Sequence, residues 1–365
     1  MISLFKTKGG SKSVPFINKE NNMKIKLYIA ALLIFSGLTS CHNDKAEFDD
    51  YQFQTVYFAY QYPVRTITFG EDIFDTTLDN QGKTKIMATI GGTYHNDRDV
   101  RINFQVDNTI TENLLFEEGG EKILPMPENY YTLNSNEIKI PKGEIAGGVE
   151  VQFSDAFFAD PLATSRNYVI PLQMTNVVNA DSVLSGRPLA ANPRKAVADD
   201  WDVLPKDYIL YAVKYINTWE GNYLRRGVDV IKGTPGNESL DDTVVRHQQY
   251  VEDDQVIGLS TRSLTETSLD LTFQNSEGYA VNCTLILSFD DAGNCTISAG
   301  SDQYTASGSG KFVKDGEKES WGGEDRDALY LEYQVNMDEI SVSTIDTLVL
   351  RDRGVAMETF SPVVE

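Results

Sequence analysis

The sequence predicts an all-β protein: an N-terminal antiparallel β-sandwich followed by a C-terminal up-and-down β-barrel. Three observations carry this. Short runs alternate apolar and polar residues with a period of two. Gly, Asn and Pro turns separate them at short intervals. The chain has 365 residues, 41% of them hydrophobic, enough for two cores and long for one.

Taken in order, residues 1–22 precede Met23 and read as an upstream extension. Lys24 and Lys26 open an apolar run from Leu27 to Phe35, and small residues follow, so residues 23–40 have the three regions of an export signal. The run is too short for a comfortable membrane span. Leu38-Thr39-Ser40-Cys41 resembles the lipobox of bacterial lipoproteins, which implies acylation of Cys41 as the new N-terminus. Each buried methylene contributes about 0.8 kcal/mol, so several acyl chains on one residue make a lasting anchor. The competing reading is a secretory signal with a chance cysteine. The acidic stretch over residues 41–50 reads as a tether and resembles the surface-export signals of lipoproteins on the outer membrane of certain Gram-negative gut anaerobes.

Residues 51–185 form the expected sandwich. "RINFQVD" sets Ile102, Phe104 and Val106 against Arg101, Asn103 and Gln105, and "GVEVQF" and "NEIKIPKG" alternate in the same way. "TVYFAYQ", "TKIMATIGG" and "YVIPLQM" bring the count to about seven short strands, which suits a sandwich. Only "TENLLFEE" suggests a helix. Residues 186–206, with three prolines and no apolar period, read as a linker in which Trp201 docks onto a neighbour. Residues 207–365 are expected to form the barrel. Periodicity does not decide between helix and strand for "DYILYAVKYIN", but about eight strand-like runs follow it, among them "SLDLTFQ" and "LYLEYQV".

Cys283 and Cys295 flank a hairpin with its turn at Asp290-Asp291-Ala292-Gly293. That register sets them on opposite faces and several residues apart, so two free thiols are expected. The alternative is a disulfide suited to an oxidising compartment.

"TWEGNY" with Trp219 and Gly221, and Arg351 in "TLVLRDRG" on the last strand, resemble the signature of the calycin or lipocalin-like group, which implies a barrel with a basic residue packed over the Trp. Over residues 50–365, stretches such as "ATIGGTYHNDRDVRINFQVDN" and "PKDYILYAVKYINTWEGNYLRRG" resemble two-domain outer-membrane lipoproteins of unknown function from glycan-utilisation loci. The N-terminal module is similar to the one preceding certain chitinase-like endoglycosidases. The resemblance implies location and context; it brings no catalytic motif.

The formal charge is -22, and the 40 residues before Cys41 hold six lysines and one glutamate, so the remainder is more acidic still. Nucleic acid is thereby excluded as a natural partner, because such binding neutralises phosphates with Lys and Arg. His42, His95 and His247 lie far apart and supply no zinc ligand set. "SGSGKF" lacks the first glycine of a phosphate loop and has Phe312 where a hydroxyl is needed. Calcium at "DDAGN" or "GGEDRD" competes with solvated turns. No cofactor, metal or catalytic residue is expected.

Sugars are held by aromatic faces and polar side chains. Trp321 in "ESWGGEDRD" is the leading candidate, followed by Tyr304 and Tyr250, while Trp219 and Tyr223 are expected to fill the barrel. Trp321 covering a barrel end is the structural alternative. Arg225 and Arg226 point to opposite faces of a strand, so at most one enters a given pocket. The expected function is a surface-anchored, non-catalytic lipoprotein that binds glycan and assists an outer-membrane transporter and its glycan-binding partner. The alternatives are a glycosidase or other hydrolase with an unrecognised carboxylate pair, a structural component of an outer-membrane complex, and, were the barrel interior apolar, a carrier of small hydrophobic ligands.

Overall fold

The computed structural model describes Tyr51 and residues 53–365. The extension, the signal peptide, Cys41 and the tether expected above lie outside the described residues. The described chain is nearly all β. Its α-helix among the described residues is the single turn Asp155–Phe158.

The first body comprises β1 (Thr55–Tyr57), β2 (Pro63–Thr68), β3 (Lys83–Gly91), β4 (Val100–Val106), β5 (Tyr131–Leu133), β6 (Glu137–Ile140), β7 (Ala146–Phe153), β8 (Tyr168–Val178) and β9 (Tyr208–Ile216). The strands lie in the order β1-β3-β7-β6-β4-β8-β9-β2, with β5 beside β7. β6 and β7 are joined only through Lys139 opposite Gly148. Ile86, Val149 and Val151 on one side of that joint share a core with Ile102, Ile138 and Ile170 on the other, all at most 1% exposed. Alternation along β4 and β7 buries one face and leaves the other partly or fully exposed, as the sequence implied, except that Val106 at the end of β4 is 41% exposed and not in the core.

Two expectations change here. "TENLLFEE" is not helical: a 3₁₀ turn at Asn108–Thr111 ends on its first residue, and Leu114–Leu115 is extended. Asn113 takes a φ of 54°, which no helix continues through. The ambiguous run is β9, which pairs with β8 and, in parallel, with β2. It belongs to the first sheet, not to the barrel with which the sequence grouped it. Neighbours on both sides bury eight of its nine residues and erase the period of two. Within residues 186–206, Arg187–Pro188 pairs with Trp201–Val203, and the buried Trp201 donates its indole N–H to the Arg194 carbonyl at 2.9 Å.

The C-terminal part is an eight-stranded antiparallel barrel. Its strands are β10 (Gly221–Gly233), a side strand β11 (Asp242–Arg246), β12 (Gln255–Thr261), β13 (Glu266–Gln274), β14 (Ala280–Phe289), β15 (Asn294–Ala299), β16 (Thr305–Glu317), β17 (Arg326–Asn336) and β18 (Ile340–Asp352). β18 returns to β10 and closes the barrel, leaving β11 outside the circuit. Leu329, Leu331, Tyr333 and Val335 point inward, as their alternation predicts.

Cys283 and Cys295 are free thiols, yet the route to that expectation needs correcting. Gly293 adopts a φ of 77°, and Phe289, not Ser288, pairs with Cys295. The extra residue of this glycine bulge shifts the register by one. Both thiols therefore face the interior, 2% and 3% exposed, but remain six residues apart along the ladder.

Candidate functional site

Where β18 ends, the barrel meets the loop after β2. Arg353, 6% exposed, donates to the carbonyls of Phe69, Glu71, Asn217 and Glu220 and so ties the two bodies together. Arg353 takes the buried position that the sequence had given to Arg351, whose side chain is 52% exposed. Along β18, Val342, Thr344, Asp346 and Leu348 face inward, so Arg351 falls on the outside. After Asp352 the chain turns through Gly354, at a φ of 65°, and Arg353 is swung into the junction. Trp219 stacks on Phe289 with ring centroids 4.0 Å apart. A side chain at Gly221 would come within 2.8 Å of the Asp352 carbonyl, which explains the glycine two residues after that Trp.

Beside this junction lies a groove of about 640 Å³, within the range of ligand sites. Glu71, Asp72 and Ile73 form one wall, and Trp321, Asp325, Arg326 and the end of β18 form the other. The indole of the half-buried Trp321 is fixed in two ways. Its N–H donates to the Leu350 carbonyl at 3.1 Å, and the Arg326 guanidinium lies 3.5 Å from the ring centroid. Gly322 and Gly323, both at positive φ, make the tight turn that presents it. The Asp72 Oδ2 atom is a buried acceptor without a hydrogen-bond partner. Asp325 accepts from Lys318 and from the Glu319 amide, and the Lys318 hydrogen bond leads in holding its carboxyl below the usual range. It is an anion at neutral pH and a poor proton donor.

The other candidates lie elsewhere. Tyr304 spends its hydroxyl on the Thr284 main chain and lines a cavity of about 440 Å³ with Gln274, Asn282 and Gln303. Tyr250 is 56% exposed and shares neither pocket. The structure does not bring the three aromatics together. Sequence reasoning missed Asp72 and the loop that carries it, because their place in the groove depends on how the two bodies dock. Asp290, in "DDAGN", accepts from the amides of Ala292 and Asn294, the role of a turn residue.

Residues 218–354 match the model of a domain of unknown function, DUF5627. Residues 50–181 match a second model described only as a "-like, N-terminal domain". No curated protein matches significantly. A protein of unknown function from Bacteroides ovatus, known from its crystal structure, is 48% identical with a TM-score of 0.81, the match covering 87% of this chain and 100% of that one. An auxiliary nutrient binding protein from Bacteroides thetaiotaomicron is 15% identical with a TM-score of 0.34, over 81% of this chain and 95% of that one. A multidomain protein including DUF1735, from Bacteroides ovatus, is 12% identical with a TM-score of 0.41, over 84% and 100%. The last two scores are too low to support an argument about this chain. The first similarity is decisive: the chain belongs to the family of that Bacteroides ovatus protein of unknown function, with DUF5627 as its C-terminal module.

Proposed function

We propose that the protein is a surface-anchored, non-catalytic lipoprotein that binds glycan and hands it to an outer-membrane transporter complex. The observation that carries the binding role is Trp321 in the wall of the groove, its indole locked by Leu350 and Arg326. A fixed aromatic surface loses little freedom when a sugar ring packs on it, which favours binding. Asp72 lies in the opposite wall of the same groove. The anchor is Cys41, supported by Leu38-Thr39-Ser40-Cys41 and the acidic stretch behind it.

Affinity electrophoresis in gels containing individual polysaccharides tests the binding role. Retardation by at least one glycan is expected, and Trp321→Ala should abolish it. Wild-type mobility in every gel, or full retardation of the variant, would refute the reading. Growth with radiolabelled palmitate should label the protein, and Cys41→Ala should remove the label.

A further inference from the structure

The barrel has a gap in its wall. β10 shares one edge between two strands, β12 over Gly221–Arg225 and β11 over Gly227–Ile231. Pairing of β12 with β13 covers only Leu259 to Thr261 against Leu269 to Thr267. Leu271–Gln274 therefore lacks a ladder partner on that side, and a cavity of about 660 Å³ occupies the seam.

Charged groups line this cavity and extend behind it. Arg225, Asp229 and Asp346 are 6%, 5% and 1% exposed. Arg225 Nε donates to Asp346 Oδ2 at 2.9 Å. Arg246, reaching in from β11, pairs with both Asp229 oxygens and donates to Asp346 Oδ1 at 2.7 Å. Tyr333 and Thr344 add their hydroxyls to Asp346 and Asp229. Such a network is an expensive way to fill a barrel, since well-packed apolar residues of similar volume are often as stable or more so. At this seam the barrel wall is charged, unlike the apolar core around Leu285, Leu329 and Val342 in the rest of the barrel.

We infer that this seam is a second ligand site, separate from the Trp321 groove, that takes a single neutral polyhydroxylated ring such as one sugar residue. The inference rests on the glycan reading only for the family of ligand. Two arginines and two aspartates balance one another, so a ligand with net charge would enter uncompensated. Asp241 and Asp242 at the lining oppose an anion further. A zwitterion would have to break pairs already made, whereas hydroxyls can add to the remaining lone pairs and N–H groups. Leu240, Leu271 and Phe273 offer the apolar surface against which a ring's C–H face packs.

The test is calorimetric titration of the full chain in detergent with glucose, galactose, N-acetylglucosamine, galacturonate and glycine. At least one neutral sugar should bind saturably, and galacturonate and glycine should not. Arg246→Gln should weaken that sugar by roughly tenfold or more, the usual worth of a hydrogen bond to a charged group. Ser239→Trp, at an exposed position of the cavity lining, should block entry without touching the network. Trp321→Ala should change the affinity less than about twofold, a shift within the usual effect of a site that shares no contacts. Preferential binding of galacturonate or glycine, no binding by any of the neutral sugars, or full affinity in Ser239→Trp would each overturn the inference. Polysaccharide retardation that persists alongside any of these would leave the groove's role standing.

Discussion

The two bodies of this protein both fold around apolar cores but treat buried charge differently. The first sheet folds over a core of Ile, Val and Phe, and its largest buried side chains include Ile86, Ile102, Ile138 and Phe157. The barrel packs Leu329, Leu331 and Val342 around part of its interior but also holds four ionised side chains in one network. An apolar core is stabilised by every group it buries, whereas a buried ion pair offsets its desolvation only while all partners are present. The first body pairs its buried Asp79 with a partly exposed Arg65, whereas the barrel adds to its apolar core a network whose four charged side chains are all nearly buried.

Several substitutions break or sharpen this contrast. The largest effect is expected for Asp346→Ala, which leaves two buried guanidinium groups without their shared partner. A loss of about 3–5 kcal/mol is predicted from chemical denaturation. Ile102→Ala in the first body should cost about 2–5 kcal/mol through lost burial and a cavity, and Ile102→Val only about 0.5–1.5 kcal/mol. A graded response to size at Ile102, against an abrupt one at Asp346 even for Asp346→Asn, would mark the difference. Similar graded losses at both sites would erase it.

Smaller effects concern ionisation. Burial pushes both barrel thiols up, and with the Asp290 charge it brings Cys295 to about 12. At pH 8 neither Cys283 nor Cys295 should react with a chromogenic thiol reagent until denaturant is added. Prompt native-state labelling would show that the barrel opens. Burial raises Tyr215 to about 12, helped by Asp160, and Tyr330 to about 12, helped by Glu317. The folded state holds these protons more tightly than the unfolded chain, so their contribution is complete below about pH 9. It should fall as pH rises from the unfolded values of about 9 and 10 toward 12. Denaturation midpoints that stay flat between pH 9 and 12 would contradict this.

Most of the fold was legible because half-buried strands announce themselves through alternation, as in Ile102–Phe104 and Leu329–Val335. Legibility failed where tertiary context overrides period. β9 is buried on both faces, Asn113 stops a helix that the local pattern favoured, and Gly293 adds a bulge that turns both cysteines inward. Of the groove, Trp321 could be found because a lone aromatic in a glycine-rich turn stands out. Asp72 could not, since it joins Trp321 only through the docking of two bodies distant in sequence, and Arg353 could not, since its place depends on the turn at Gly354 that swings it inward. The ion network was equally hidden: Arg225, Arg246 and Asp346 lie on three strands, and nothing local links them.

The most direct measurement incubates purified protein lacking the lipid anchor with the polysaccharide that retards it. Depletion of protein from solution and the appearance of new reducing ends are then followed in one sample. Capture that saturates while reducing ends stay at the level of a protein-free control is the predicted outcome. Reducing ends that accumulate in proportion to protein and time would contradict a role in binding without turnover.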